Sequence, residues 1–85
     1  MAEVEIGKVI HYFSKAGVVA IEIAQDVLRV GDTIHFKGHT TDFTQKIDSM
    51  QIDNQPVPEA TVGQSIGLKV KDHARVHDLV YKVVE

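Results

Sequence analysis

The chain has no cysteine, no tryptophan and only two prolines, and no apolar run approaches the roughly 18 residues of a membrane-spanning helix. Each absence excludes something. Without cysteine there is no disulfide framework and no thiolate metal site, so one apolar core must hold the fold together. A chain of 85 residues buries roughly 60–65% of its unfolded surface, enough for a single domain over residues 1–85. No block of five like charges occurs, because nine Lys+Arg and twelve Asp+Glu are interspersed to give a formal charge of −3. A nucleic-acid backbone is bound non-specifically by clustered cations that displace its counterions. Any RNA contact by this chain must therefore be local. The acidic start Met1-Ala2-Glu3-Val4-Glu5 lacks the basic and apolar regions of a targeting peptide. Together with the missing cysteines it points to a soluble, cytoplasmic protein with no membrane partner.

What is present is β-sequence. Valine and isoleucine dominate the apolar residues, which favours strands over helices. Val19, Ile21 and Ile23 alternate with less apolar neighbours, as do Ile34 and Phe36, and Ile66, Leu68 and Val70. Period two with one polar face means antiparallel strands that are half in a core and half in water. The pattern predicts a first strand over about 4–13, a hairpin turn at Ser14-Lys15-Ala16-Gly17, and a second strand over about 18–24. A third strand follows the Gly31-Asp32 turn and stops at Gly38. A long fourth runs from Phe43 to Ile52, with a β-bulge near Asp48-Ser49 to keep Met50 and Ile52 inside. The stretch from Asp53 to Glu59, which holds both prolines, reads as a surface crossing, and Glu59 to Val62 as one helical turn. Strands over about 65–70 and 78–84 complete the set, joined by a loop from Asp72 to His77. The expected fold class is all-β: a single six-stranded, mainly antiparallel β-barrel, closed because closure removes exposed edges.

Two units stand out: Leu28-Arg29-Val30-Gly31-Asp32-Thr33-Ile34-His35-Phe36 and Ala60-Thr61-Val62-Gly63-Gln64-Ser65-Ile66-Gly67-Leu68. Each is an apolar anchor, a Gly-polar turn and an alternating strand. They resemble the second-domain β-barrel of translation GTPases such as elongation factor Tu and initiation factor 2. Gly17-Val18-Val19-Ala20 and Ile47-Asp48-Ser49-Met50-Gln51 fit neighbouring strands of that barrel. Gly38-His39-Thr40-Thr41-Asp42-Phe43-Thr44-Gln45 with Ser49-Met50-Gln51-Ile52 resembles small stand-alone translation elongation factor-like proteins. The same type of barrel ends the collagenase-like peptidase family, some members of which act in RNA hydroxylation. One departure is His77-Asp78, where the family's last turn has glycine before aspartate. A positive φ there is tolerated by histidine at modest cost.

The resemblance brings no catalysis. No Gly-rich loop ends in Lys-Ser/Thr, so no GTP binding is expected. Ser14 and Ser49 lie outside any nucleophile elbow. His35 and His39 sit four apart, about 13 Å along a strand and too far to share one ion; His73 and His77 have the same spacing. The expectation is no enzyme, no metal and no cofactor. Tyr12, Phe13 and Tyr81 read as core or barrel-end residues. The candidate binding residues are Lys37, His39, Thr41, Asp42, Phe43, Gln45 and Lys46. Phe43 also alternates correctly for the core, and Thr41 or Asp42 fits a turn cap. Lys37, Lys46 and Lys69 form a basic patch if their strands converge. The function read from this is a non-catalytic binding module contacting RNA, the ribosome or a translation-related protein, with a protein-interaction adaptor as the alternative.

Overall fold

A computed structural model describes residues 2–84. Ten strands and no helix form among them: β1 (Ala2–Phe13), β2 (Val18–Ile23), β3 (Leu28–Arg29), β4 (Thr33–Lys37), β5 (Asp42–Lys46), β6 (Gln51–Ile52), β7 (Gln55–Pro56), β8 (Glu59–Ala60), β9 (Ser65–Lys69) and β10 (Leu79–Val84). Eight of them make one antiparallel sheet in the order β5-β4-β10-β1-β2-β9-β6-β7, and β3 pairs with β8 in a separate ribbon. The alternation seen in the sequence decides which face is buried. Val19, Ile21 and Ile23 of β2, Ile34 and Phe36 of β4, and Ile66 and Leu68 of β9 all lie in the core.

The all-β antiparallel character is as expected; the closed six-stranded barrel is not. Five of the six strands expected from the pattern are present and the fourth is split, while the sheet curls far enough to bring β5 beside β9. Closure would need a backbone ladder between those two strands. Instead the Gln45 side chain spans the seam, donating to Lys69 O at 2.8 Å and accepting from Lys71 N at 3.0 Å. The reason lies in the fourth strand. Its bulge is a break: β5 ends at Lys46, and the chain crosses with Ile47 and Met50 buried before restarting as β6. There Gln51 pairs with Gly67, so the β6–β7 hairpin takes the edge of β9 that a closing strand would use.

The Pro-bearing stretch is that hairpin. Asp53 and Asn54 both have positive φ, 52° and 65°, as a two-residue type I′ turn requires. Pro56 sits in the outermost strand, where its missing N–H breaks no ladder. The expected helical turn after it is β8, paired through Ala60 to Leu28.

Three turns share one construction. Arg29-Val30-Gly31-Asp32, Thr61-Val62-Gly63-Gln64 and Arg75-Val76-His77-Asp78 each return an N–H from the fourth residue to the carbonyl of the first, at 3.0, 3.1 and 3.0 Å. In each the third residue has positive φ (99°, 90° and 79°), the mark of a type II turn. The fourth side chain then accepts the first residue's N–H at 2.8 Å in all three. His77 thus takes the glycine position in the left-handed conformation, as its place in the motif implied. Each turn launches a long strand: β4, β9 or β10.

Candidate functional site

The β4–β5 hairpin carries most of the residues singled out by sequence. Gly38 N donates to Thr41 O at 2.7 Å to close its tip, leaving His39 exposed and Thr41 buried. Phe43 packs against the buried Phe36 with ring centroids 4.8 Å apart, so its role is in the core. Gln45 is committed to the seam. Lys37 pairs with Asp42 and Lys46 with Thr33, at opposite ends of the ladder, so the hairpin does not bring these two lysines together. Gly38 is fixed by a close approach: an added Cβ would meet the Asp78 carboxylate at 1.9 Å.

The hairpin's outer face holds a cluster that strand alternation alone did not reveal. His35 Nδ1 lies 2.8 Å from Glu3 Oε2 and its Nε2 lies 2.5 Å from Asp42 Oδ1. Glu3 is on β1, and β10 runs between β1 and β4 with the Tyr81 ring centred 6.3 Å from the imidazole. One imidazolium therefore ties β1 to the hairpin across an intervening strand. The hydrogen bond to Asp42, then that to Glu3, raise the His35 pKa above 6.5 against partial burial. Both ring nitrogens face carboxylate oxygens, an arrangement that favours the protonated ring as a tie between strands. Asp26 is in turn pulled below its ordinary carboxylate value by the Val27 N–H and by Lys82, whose ammonium also donates to Val27 O at 2.8 Å. Among the described residues no group of three or more His, Cys, Asp or Glu side chains is placed to hold a metal ion.

The concave surfaces lie elsewhere. One groove of about 420 Å³ runs over the outer face of β2 and β9 and under the β6–β7 hairpin; Phe13, Val18, Ala20, Met50 and Gly67 give it an apolar portion, and Gln51, Asp53, Asn54 and Lys69 a polar one. Phe13 is 50% exposed, which corrects its reading as a core or barrel-end residue: β1 leaves it at the lip, with its ring 4.3 Å from that of His11. Register explains the shallow floor, since Ala20 pairs with Gly67 and Gly67 with Gln51. The small residues Ala20 and Gly67 therefore face each other across β2 and β9, with Gln51 beyond them on β6. A second cavity of similar size opens at the β5–β9 seam, lined by Lys46, Lys69 and Lys71 with Asp48. Of the basic patch expected from sequence, Lys46 and Lys69 meet here with Lys71, and Lys37 does not. Lys69 borders both cavities. The sequence signal for the groove was Gly67, a glycine in mid-strand.

No family model matches the chain. It is 38% identical over 81 residues to a collagenase of Porphyromonas gingivalis strain W83, covering 94% of this chain and 20% of that protein. It is 37% identical over 84 residues to an uncharacterized protease of Methanocaldococcus jannaschii, covering 98% and 20%. The chain thus spans about a fifth of the length of these relatives. Its fold matches that of the C-terminal domain of a Geobacillus thermoleovorans putative U32 peptidase with TM-score 0.87 and 23% identity, over 94% of this chain and 92% of that one. The chain is thus similar in sequence to part of proteins named collagenase and protease, and in fold to the C-terminal domain of a putative U32 peptidase. These relatives give no support to a stand-alone translation elongation factor-like identity.

Proposed function

We propose that the chain is a non-catalytic binding module of the kind appended to U32-type peptidases, and that it holds polypeptide without cleaving it. The observation that carries this reading is the groove over β2 and β9: Ala20 and Gly67 form a small-residue floor beside one aromatic, Phe13, with polar groups such as Gln51 and Asn54 on the rim, and the histidine gripped by carboxylates lies on another strand pair. Relatives named collagenase and protease, of which the chain spans about a fifth, supply the polypeptide as ligand class.

The test is retention on immobilised gelatin and casein, run beside a hydrolysis assay on the same substrates. Retention without turnover supports the reading; turnover by the purified chain contradicts it, and so does passage through both columns.

A second reading, contact with RNA or a ribonucleoprotein, is favoured by the three lysines at the β5–β9 seam. It predicts retention on RNA that falls steeply with salt, whereas contact through the apolar groove is less sensitive.

A further inference from the structure

Gly67 is a glycine that the fold does not require. It has no positive φ, and an added Cβ would make only ordinary contacts, with Val18 Cγ1 at 3.8 Å and Val19 O at 3.9 Å. At Gly7 and Gly38, by contrast, the added atom would collide at 2.0 and 1.9 Å. Glycine inside a strand loses more conformational entropy on folding than alanine, and its use at such a place is to let another group approach the backbone. What lies above Gly67 is the groove.

The surroundings define the group that approaches. Ala20 extends the flat floor, Phe13 and Met50 supply apolar walls, and Lys69 stands where the groove meets the lysine-lined seam. None of Lys46, Lys69 and Lys71 makes an ion pair with a described residue, and Asp48 is the one carboxylate lining that seam. Asp53 lines the groove itself, so across the two cavities three lysines face two carboxylates, a local positive excess in a chain of formal charge −3. Nucleic-acid strands are held on platforms where successive bases stack on aromatic side chains; here one aromatic stands at the lip of an aliphatic floor. We propose that the groove receives an apolar side chain of an acidic peptide segment, seated over Gly67 and Ala20, with flanking carboxylates on Lys69, Lys71 and Lys46.

This rests on the binding-module reading and names the ligand class and the place. Three probes test it on the isotope-labelled 85-residue chain: an acetylated octapeptide alternating glutamate with leucine, its lysine-for-glutamate counterpart, and a uridine octanucleotide. The acidic peptide should shift the amide signals of Ala20, Gly67 and Lys69, and bind at least about tenfold more tightly than the basic one, since juxtaposed like charges are repulsive. Gly67→Leu, which fills the floor, and Lys69→Ala, on an exposed residue, should each weaken it by about fivefold, equivalent to roughly 1 kcal/mol. Equal affinity for the two peptides, tighter binding of the RNA, shifts confined to another surface, or no binding of the acidic peptide overturns the proposal. If gelatin or casein is still retained in those cases, the binding-module reading stands and only this site and ligand fall; if retention is absent too, both fall.

Discussion

At the scale of single residues, the glycines separate into architectural and permissive ones by what surrounds them. Gly7 lies beside a register shift in the β1–β10 ladder, with Glu22 O 2.0 Å from where a Cβ would be. A backbone oxygen cannot swing aside. Gly7→Ala should therefore lower unfolding free energy by about 2–4 kcal/mol, in the range of severe overpacking. Gly67→Ala should leave it unchanged or raise it by about 0.5 kcal/mol, because space is free and strand entropy is regained. Urea titration of the two variants checks the contrast, and similar losses at both would contradict it. His35 carries the second prediction at this scale. Its folded-state pKa is raised by Asp42 and Glu3, so its stabilisation is fully present below the unfolded value near 6.5 and is lost as pH rises through the higher folded value. The melting-temperature advantage of the native chain over His35→Gln should shrink as pH is raised from 6 into the alkaline range. An advantage that grows instead would contradict the cationic tie.

At the scale of elements, the seam between β5 and β9 replaces a backbone ladder with one side-chain amide. Gln45→Ala leaves Lys69 O and Lys71 N without this partner. Loss of two such bonds should cost about 1–2 kcal/mol and speed hydrogen exchange at the Lys71 amide before other β-sheet amides. Unchanged exchange there would show that water or a rearranged strand replaces the bridge. This element also shows where the sequence was legible. Alternation of Val19, Ile21 and Ile23, or of Ile34 and Phe36, reports directly which side faces the core, and the turn residues report where strands begin. The third turn was legible only in part, because His77 conceals a left-handed position that glycine would have advertised. Closure was not legible: it depends on which strand wins the free edge of β9, a contest between distant segments decided by the Asp53-Asn54 hairpin. The site was less visible still. Gln45 and Phe43 were marked for binding because polar and aromatic residues in a loop suggest recognition, yet Gln45 bonds Lys69 and Lys71, distant in the chain, and Phe43 packs on Phe36 across its own hairpin. Phe13 reads from sequence as core or barrel-end, and β1 carries it to a half-exposed place at the lip of the groove.

At the scale of the whole molecule, one curled sheet buries the alternating face, and the groove and the seam cavity meet at Lys69. Several apolar side chains remain exposed, Phe13 at the groove and Val30, Val62 and Val76 at the corners of the three related turns. The turn valines occupy the second position of a type II turn, where exposure follows from the turn itself. Phe13 has no such cause. Polypeptide binding through the groove is best checked by the retention of Phe13→Ala and Val76→Ala on immobilised gelatin. Both variants remove a half-exposed apolar side chain outside the core, so both should melt within a few degrees of the native chain. The account predicts that Phe13→Ala loses retention by about tenfold, as for an aromatic anchor, while Val76→Ala is retained like the native chain. Equal retention of both variants, or a loss confined to Val76→Ala, would contradict it.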